Sequence, residues 1–159
     1  MGRDDSQPGD GQYVLFRSGG EMYGMDVAIV REIIRPAGIT AVPQTPEHIE
    51  GVTRIRGEVI PVVNMARRLG AEPEDRGIHT RVLIVELEQC TAGLLVDSSQ
   101  EVVGIPGKDV DQQPRIMASH KTAYLQGVAK VDDRLVMLLD ADQLLISDDL
   151  SGIVARSAP

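Results

Sequence analysis

Three histidines, one cysteine and a small group of arginines are the residues that could do chemistry. Their spacing gives them no joint task. His48, His79 and His120 are scattered, and none stands at ligand spacing from another histidine, from Cys90 or from a carboxylate cluster, so no metal is expected. They read as solvated surface residues. Cys90 follows Glu86 and Glu88, an acidic neighbourhood that disfavours thiolate, and reads as a plain hairpin-loop cysteine. Glycines number 16, yet no spacing gives a P-loop or a dinucleotide fingerprint, and no serine sits in a nucleophile elbow. Asp140 and Asp142 would suit a metal near a strand end. Asp140 is better read as a helix cap, a task Asn64 takes earlier in the chain. No cofactor and no enzymatic activity is expected. The basic cluster Arg54, Arg56, Arg67 and Arg68 lacks the aromatic platform on which single strands stack, since aromatic residues make up 3% and tryptophan is absent. A scaffold that binds proteins through strand edges, a groove and a few charges is what remains.

The bulk properties agree. The 159 residues suit one ordinary domain or two very small ones, and 42% hydrophobic residues supply a core. Acidic residues outnumber basic ones by 24 to 16, and the net charge of −8 disfavours nonspecific binding to nucleic acid or to an anionic membrane. A lone Cys90 forms no internal disulfide and fits a reducing cytoplasm. No apolar run approaches a membrane span. The start lacks a secretory signal, and Met1-Gly2 with Ser6 and acidic neighbours is a weak myristoylation match, so it reads as an ordinary start.

These residues need elements to position them. Residues 1–11 read as a disordered tail. A strand over 13–16, a turn at Ser18-Gly19-Gly20 and a strand over 21–27 form a hairpin. Residues 27–34 read as a helical turn running into a strand. Thr45 caps a short helix that starts at Pro46 and ends before Gly51. The stretch Gly51-Val52-Thr53-Arg54-Ile55-Arg56-Gly57-Glu58-Val59-Ile60-Pro61-Val62-Val63-Asn64 reads as a hairpin with Arg56 at its tip. The apolar run 59–63 suggests a strand covered on both faces, and Pro61 places it at an edge or a bulge. Asn64 caps a helical turn that Gly70 ends. After a polar link come strands over 81–86, 92–97 and 101–105, a mostly looped stretch 106–121, and a second hairpin around Asp132-Asp133. Asp140 then caps a helix through Leu145, and the polar tail after Ser147 reads as frayed, with part of it packing back.

The two hairpins align without a gap. Gly51-Val52-Thr53-Arg54-Ile55 lies on Gly127-Val128-Ala129-Lys130-Val131, and Val59-Ile60-Pro61-Val62-Val63-Asn64 lies on Leu135-Val136-Met137-Leu138-Leu139-Asp140. Upstream, Gly24 falls on Gly93 and Glu32 on Glu101. The order of elements is shared, so duplication explains the pattern. Each half holds about five strands, which suits a small barrel without exposed edges. The expected fold is mainly β: two small five-stranded barrels, about 12–70 and 80–147, packed with a groove between them and with exchange of elements between them left open, plus a few short helices and a polar C-terminal tail at 148–159.

The first hairpin resembles the signature of the CheW family of bacterial chemotaxis coupling proteins. Gly93-Leu94-Leu95-Val96-Asp97 and Tyr124-Leu125-Gln126-Gly127-Val128 resemble later motifs of that family. The resemblance runs from about Gln12 to Leu145. One departure stands out: Arg54 and Ile55 occupy places where the family usually has Asn and Leu, which adds a positive charge and puts the usual contacts of that Asn in doubt. The resemblance implies SH3-like barrels, intertwined around a shared core, and a cytoplasmic adaptor between methyl-accepting chemoreceptors and the histidine kinase CheA, whose regulatory domain shares the fold. It implies no nucleic acid, no membrane insertion and a single-domain type without a receiver domain; a paralogue for another chemosensory array fits the same residues. By position it implies that Val30, Glu32, Gly51 and Arg56 belong to a partner-facing surface, and that Gly93, Ser99 and Val102 lie near the groove for the receptor's cytoplasmic tip. Val30 and Val102 read equally as plain core, and Glu32 and Arg56 equally as a surface ion pair contributing little.

Overall fold

A computed structural model describes residues 10–111 and 123–157. Residues 1–9 of the expected tail, His120, and residues 112–121 of the expected loop lie outside them. The strands are β1 (Gly11–Ser18), β2 (Glu21–Asp26), β3 (Val30–Ile34), β4 (Ile49–Ile55), β5 (Glu58–Asn64), β6 (Arg81–Glu86), β7 (Thr91–Val96), β8 (Ser98–Ile105), β9 (Val110–Asp111), β10 (Leu125–Val131) and β11 (Arg134–Leu139). Among the described residues the α-helices are α1 (Met65–Arg68), which follows β5, and α2 (Ala141–Leu144) and α3 (Leu150–Ser157), which follow β11.

The strands form a five-stranded sheet, β3-β6-β7-β5-β4, and a six-stranded sheet, β8-β1-β2-β11-β10-β9. Replacing each strand of the first by its repeat partner gives β8-β1-β2-β11-β10, so the duplication is an internal twofold. Details repeat as well. The β4–β5 ladder shifts register between Ile49 and Gly51, and the β10–β11 ladder between Leu125 and Gly127. The Thr40–Val52 bridge corresponds to the pairing of Asp111 with Val128.

The expectation of two SH3-like barrels is corrected here. Neither sheet closes: β3 and β4 are the edges of one, and β8 and β9 the edges of the other. The halves exchange strands instead. β5 pairs in parallel with β7 from the second half, and β11 pairs in parallel with β2 from the first. A strand that would join its own half's sheet is thus used to extend the other half's. The exchange also overturns one of the two readings of Pro61, the edge. Its strand β5 lies between β7 and β4, not at an edge, and the β7 ladder begins one residue later, at Val62. The β4–β5 ladder does carry an irregularity beside Pro61, between Ile49 and Gly51.

The core follows from this layout. Phe16, Tyr23 and Met25 from one sheet meet Val63, Leu83, Leu94 and Val96 from the other, sealed by Met65, Leu139, Leu144 and Leu145. Each sheet also curls over a smaller cluster: Tyr13, Leu15, Ile105, Ala129, Val136 and Leu138 in one, and Ile60, Val62, Val82, Ile84 and Leu95 in the other. Ile60, Val62 and Val63 are at most 1% exposed, so this run is covered on both faces as its composition suggests.

Local chemistry ends the helices. The Asn64 side chain accepts from the Arg67 N–H at 3.1 Å, and Asp140 accepts from the Gln143 N–H at 3.1 Å. The helix expected from Pro46 is absent: Thr45 Oγ1 donates to the Val42 carbonyl at 2.9 Å, a turn follows, and β4 begins at Ile49. A helix, α3, stands in the tail that is expected to fray with part of it packing back. Leu150, Ile153 and Val154 give it one aliphatic face, and the first two are buried in the central core. The segment before it is latched. His48 Nε2 lies 2.8 Å from Asp148 Oδ1, Arg68 Nε donates to Asp148 Oδ2 at 3.3 Å, and the Gln89 amide donates to the Asp148 carbonyl at 3.1 Å. His48 is therefore a bonded, largely covered residue and not a solvated one.

Truncating α3's anchor tests its place in the core. Ile153→Ala is expected to cost roughly 2–5 kcal/mol in urea unfolding, as for other buried aliphatic truncations. A cost typical of a surface position, under about 0.5 kcal/mol, would show that α3 is not part of the folded unit.

Candidate docking surface

The tip of the β4–β5 hairpin is built for a sharp reversal. Arg56 and Gly57 both adopt positive φ, 52° and 82°, the combination a two-residue hairpin turn favours. Gly57 does so freely, whereas arginine carries a small strain there. The second hairpin repeats the geometry with Asp132 and Asp133 at 50° and 64°. The turn thus constrains the backbone at this position and leaves the side chain's charge open.

That side chain reaches across the sheet. Arg56 Nε donates to Glu32 Oε2 at 3.1 Å, and an Nη donates to Glu32 Oε1 at 3.0 Å. The two parallel bonds are the fork geometry that arginine and a carboxylate share. Glu32 lies on β3 and Arg56 joins β4 to β5, at opposite margins of the five-stranded sheet. Arg31 adds a second strap, 2.9 Å from Glu86 and 3.7 Å from Glu58. Side chains hold the curled sheet's margins together where no backbone ladder does. The Arg56 side chain remains 73% exposed, so the clasp faces solvent and its far side is open to a partner.

The clasp shifts both groups. The hydrogen bond from Arg56 holds the Glu32 carboxyl below the usual carboxylate range, against a smaller opposing effect of desolvation, with help from the charges of Arg56 and Arg31. Arg56 is raised by the same bond. Burial pushes the Cys90 thiol up, which keeps it protonated.

The remaining sequence-named residues are placed as follows. Val30 is half-buried on β3 and packs against the central core. Gly51 is buried in β4 at a φ of 141°; a Cβ there would sit 2.0 Å from the Thr40 carbonyl oxygen, so any side chain would break the Thr40–Val52 bridge. Gly93 is buried in β7, where a Cβ would sit 2.8 Å from Val82 Cγ1. Ser99 and Val102 lie on β8, and Val102 is 50% exposed. The structure joins Glu32 directly to Arg56 and sets Val30 two residues away. It places Gly51 and Gly93 inside the sheet that supports them, and Ser99 and Val102 on the other sheet. Sequence reasoning missed Arg31 and the exposed Ile33. The outward-facing alternation of Arg31 and Ile33 along β3 was the available signal, masked by a spacing that also fits a helix. Among the described residues no group of His, Cys, Asp or Glu could hold a metal ion, and Asp142 is engaged with the Glu88 N–H at 2.7 Å. No helix among them is long and apolar enough to cross a membrane.

Residues 12–149 match the family described as CheW-like domain. The chain belongs to the CheW-like family. CheW-like relatives span it almost end to end. The chemotaxis protein CheW of Helicobacter pylori is 31% identical over 137 residues, which is 86% of this chain and 82% of that protein. Protein FrzA of Myxococcus xanthus is 29% identical over 136 residues, 84% of each. The crystal structure of the scaffolding protein TtCheW from Thermoanaerobacter tengcongensis superimposes with a TM-score of 0.78 at 32% identity, covering 87% of this chain and 94% of that one. Arg54, which departs from the usual CheW pattern, is exposed on β4 two residues before Arg56 and lines a groove beside α3.

The clasp has a spectroscopic signature. Its contribution to folding is present above the unfolded glutamate pKa, about 4.3, and is lost as pH falls through the lower folded value. Carboxyl NMR is expected to show Glu32 titrating below the usual glutamate range, and Arg56→Ala should return it upward. A Glu32 titration that the substitution leaves unmoved would mean the clasp does not form in solution.

Proposed function

We infer that the chain is a non-enzymatic scaffold that couples methyl-accepting chemoreceptors to the histidine kinase CheA. The family match over residues 12–149 carries this reading. The protein works in the cytoplasm at membrane-bound receptor arrays, with the kinase's regulatory domain and the receptor's cytoplasmic tip as partners. An acidic, weakly aromatic surface is consistent with protein partners and unsuited to nucleic acid.

Within that role, the Glu32–Arg56 clasp is assigned to one docking face. Its support is an exposed arginine already ordered by a bidentate carboxylate, so little side-chain freedom is lost when a partner arrives. Val30 supports the strand that carries Glu32. Gly51 and Gly93 keep the supporting strands close, and their contribution to docking is through the shape of the backbone. Ser99 and Val102, on the margin of the other sheet, are assigned to the receptor-tip side, where an exposed valine offers apolar area. Residues 12–147 act as one docking body, since each sheet draws strands from both halves.

Arg56→Ala and Arg56→Asp test the assignment, the latter copying the residue at the equivalent turn position. An exposed ion pair contributes little to stability, so both variants are expected to melt within a few degrees of the parent. Affinity for the kinase's regulatory domain or for the receptor tip should fall at least about tenfold by calorimetry, equivalent to about 1.4 kcal/mol. Unchanged affinity for both partners would remove the clasp from the docking surface. A collapsed melting temperature would make it structural.

A further inference from the structure

The internal twofold gives each sheet a groove in the same place. In the five-stranded sheet a groove of about 490 Å³ is lined by Thr40, Val52, Arg54 and Val59 from the sheet side and by Val154 and Ser157 from α3. In the six-stranded sheet a groove of about 430 Å³ is lined by Lys108, Asp109, Asp111, Val128, Lys130 and Leu135. The linings correspond: Val52 to Val128, Arg54 to Lys130, Val59 to Leu135, and Thr40 to Asp111 through the equivalent bridges.

What differs is the cover. Val59 is half-buried and packs on the core that α3 completes, whereas Leu135 is 68% exposed. The connectivity explains it. After α2 the chain turns through Asp148 and lays α3 against β5. The segment after α1 takes another route. The Glu74 N–H donates to Asp97, Arg17 pairs with Glu74, and Arg76 pairs with Glu50. Among the described residues, the second groove therefore has no helix along it.

We propose that this second groove receives a short amphipathic helix from a partner protein, seated as α3 is on the first. Three features set the chemistry of the occupant. The floor of Val128 and Leu135 takes an aliphatic face at i, i+3 and i+4, the pattern Leu150, Ile153 and Val154 form in α3. Lys130 and Lys108 suit the partial negative charge of a helix C-terminus, and the first groove has Arg54 at the place of Lys130. Asp109 suits a basic residue in the last turn, which α3 has as Arg156. The groove belongs to a different sheet from the Glu32–Arg56 clasp, and the proposal stands apart from the coupling role.

The probe is an N-acetylated, hydrocarbon-stapled copy of residues 149–157, titrated into the ¹⁵N-labelled full chain and followed by amide NMR. Saturable shifts are expected at Val110, Val128, Lys130 and Leu135, with a Kd below about 1 mM. Leu135→Asp, at an exposed position, should weaken binding at least about tenfold with an otherwise unchanged spectrum. Lys130→Glu serves as the second variant and should weaken it in the same direction. Absence of saturable shifts at these amides, equal affinity in both variants, or shifts confined to Val52 and Val59, where the peptide would be exchanging with the chain's own α3, overturns the proposal.

Discussion

Two short parallel ladders hold this molecule together. Val62, Val63 and Asn64 of the first half pair with Gly93, Leu94 and Leu95 of the second, and Leu138 and Leu139 of the second pair with Gly24 and Met25 of the first. Each ladder carries one half's hairpin into a sheet begun by the other half. Gly24 and Gly93 stand at equivalent points of these junctions. A Cβ at Gly24 would lie 2.9 Å from Leu138 Cδ2, and one at Gly93 2.8 Å from Val82 Cγ1, so the close packing there needs residues without side chains. Separating the halves would remove two strands from each sheet and divide the central core, which neither half fills alone.

On that symmetric frame the surface is asymmetric. At one end Glu32 meets Arg56, while the equivalent positions at the other end, Glu101 and Asp132, are both acidic and form no such clasp. Among the described residues, one groove has a helix along it and the other has not. An exposed ion pair adds little stability, so the clasp matters chiefly by ordering a charged side chain at a strand margin. Duplication thus supplied two equal platforms, and a few substitutions at turn and edge positions made them chemically distinct. An adaptor that touches two kinds of partner needs such a difference.

The hairpins, their repeat, and the caps at Asn64 and Asp140 were legible because they depend on local rules: alternation, turn chemistry and a side-chain oxygen before a helical turn. Strand exchange was not legible in the local pattern; only the family resemblance implied intertwined halves. A period-2 pattern states which face of β5 is buried, and it is silent on whether the neighbouring strand comes from the same half. Open sheets therefore replaced the expected barrels. The pairing of Glu32 with Arg56 entered as one of two readings, but its geometry was not legible: the residues stand 24 positions apart on opposite sheet margins, and only the curl brings them together. Leu150, Ile153 and Val154 were too short a pattern, interrupted by Ser151 and Gly152, to announce a helix against the polar tail around them. His48 looked solvated because its partner, Asp148, lies 100 residues away.

The central claim is that the clasped margin of β3 and the β4–β5 tip meets a partner as a preformed surface. Hydrogen exchange of the full chain, alone and saturated with the kinase's regulatory domain or with the receptor's cytoplasmic tip, reads that surface directly. The account predicts slow exchange through the β5–β7 and β2–β11 ladders in every state, and added protection at residues 30–34 and 55–59 with at least one partner. Complexes that form with both partners while exchange at those residues stays unchanged would contradict it.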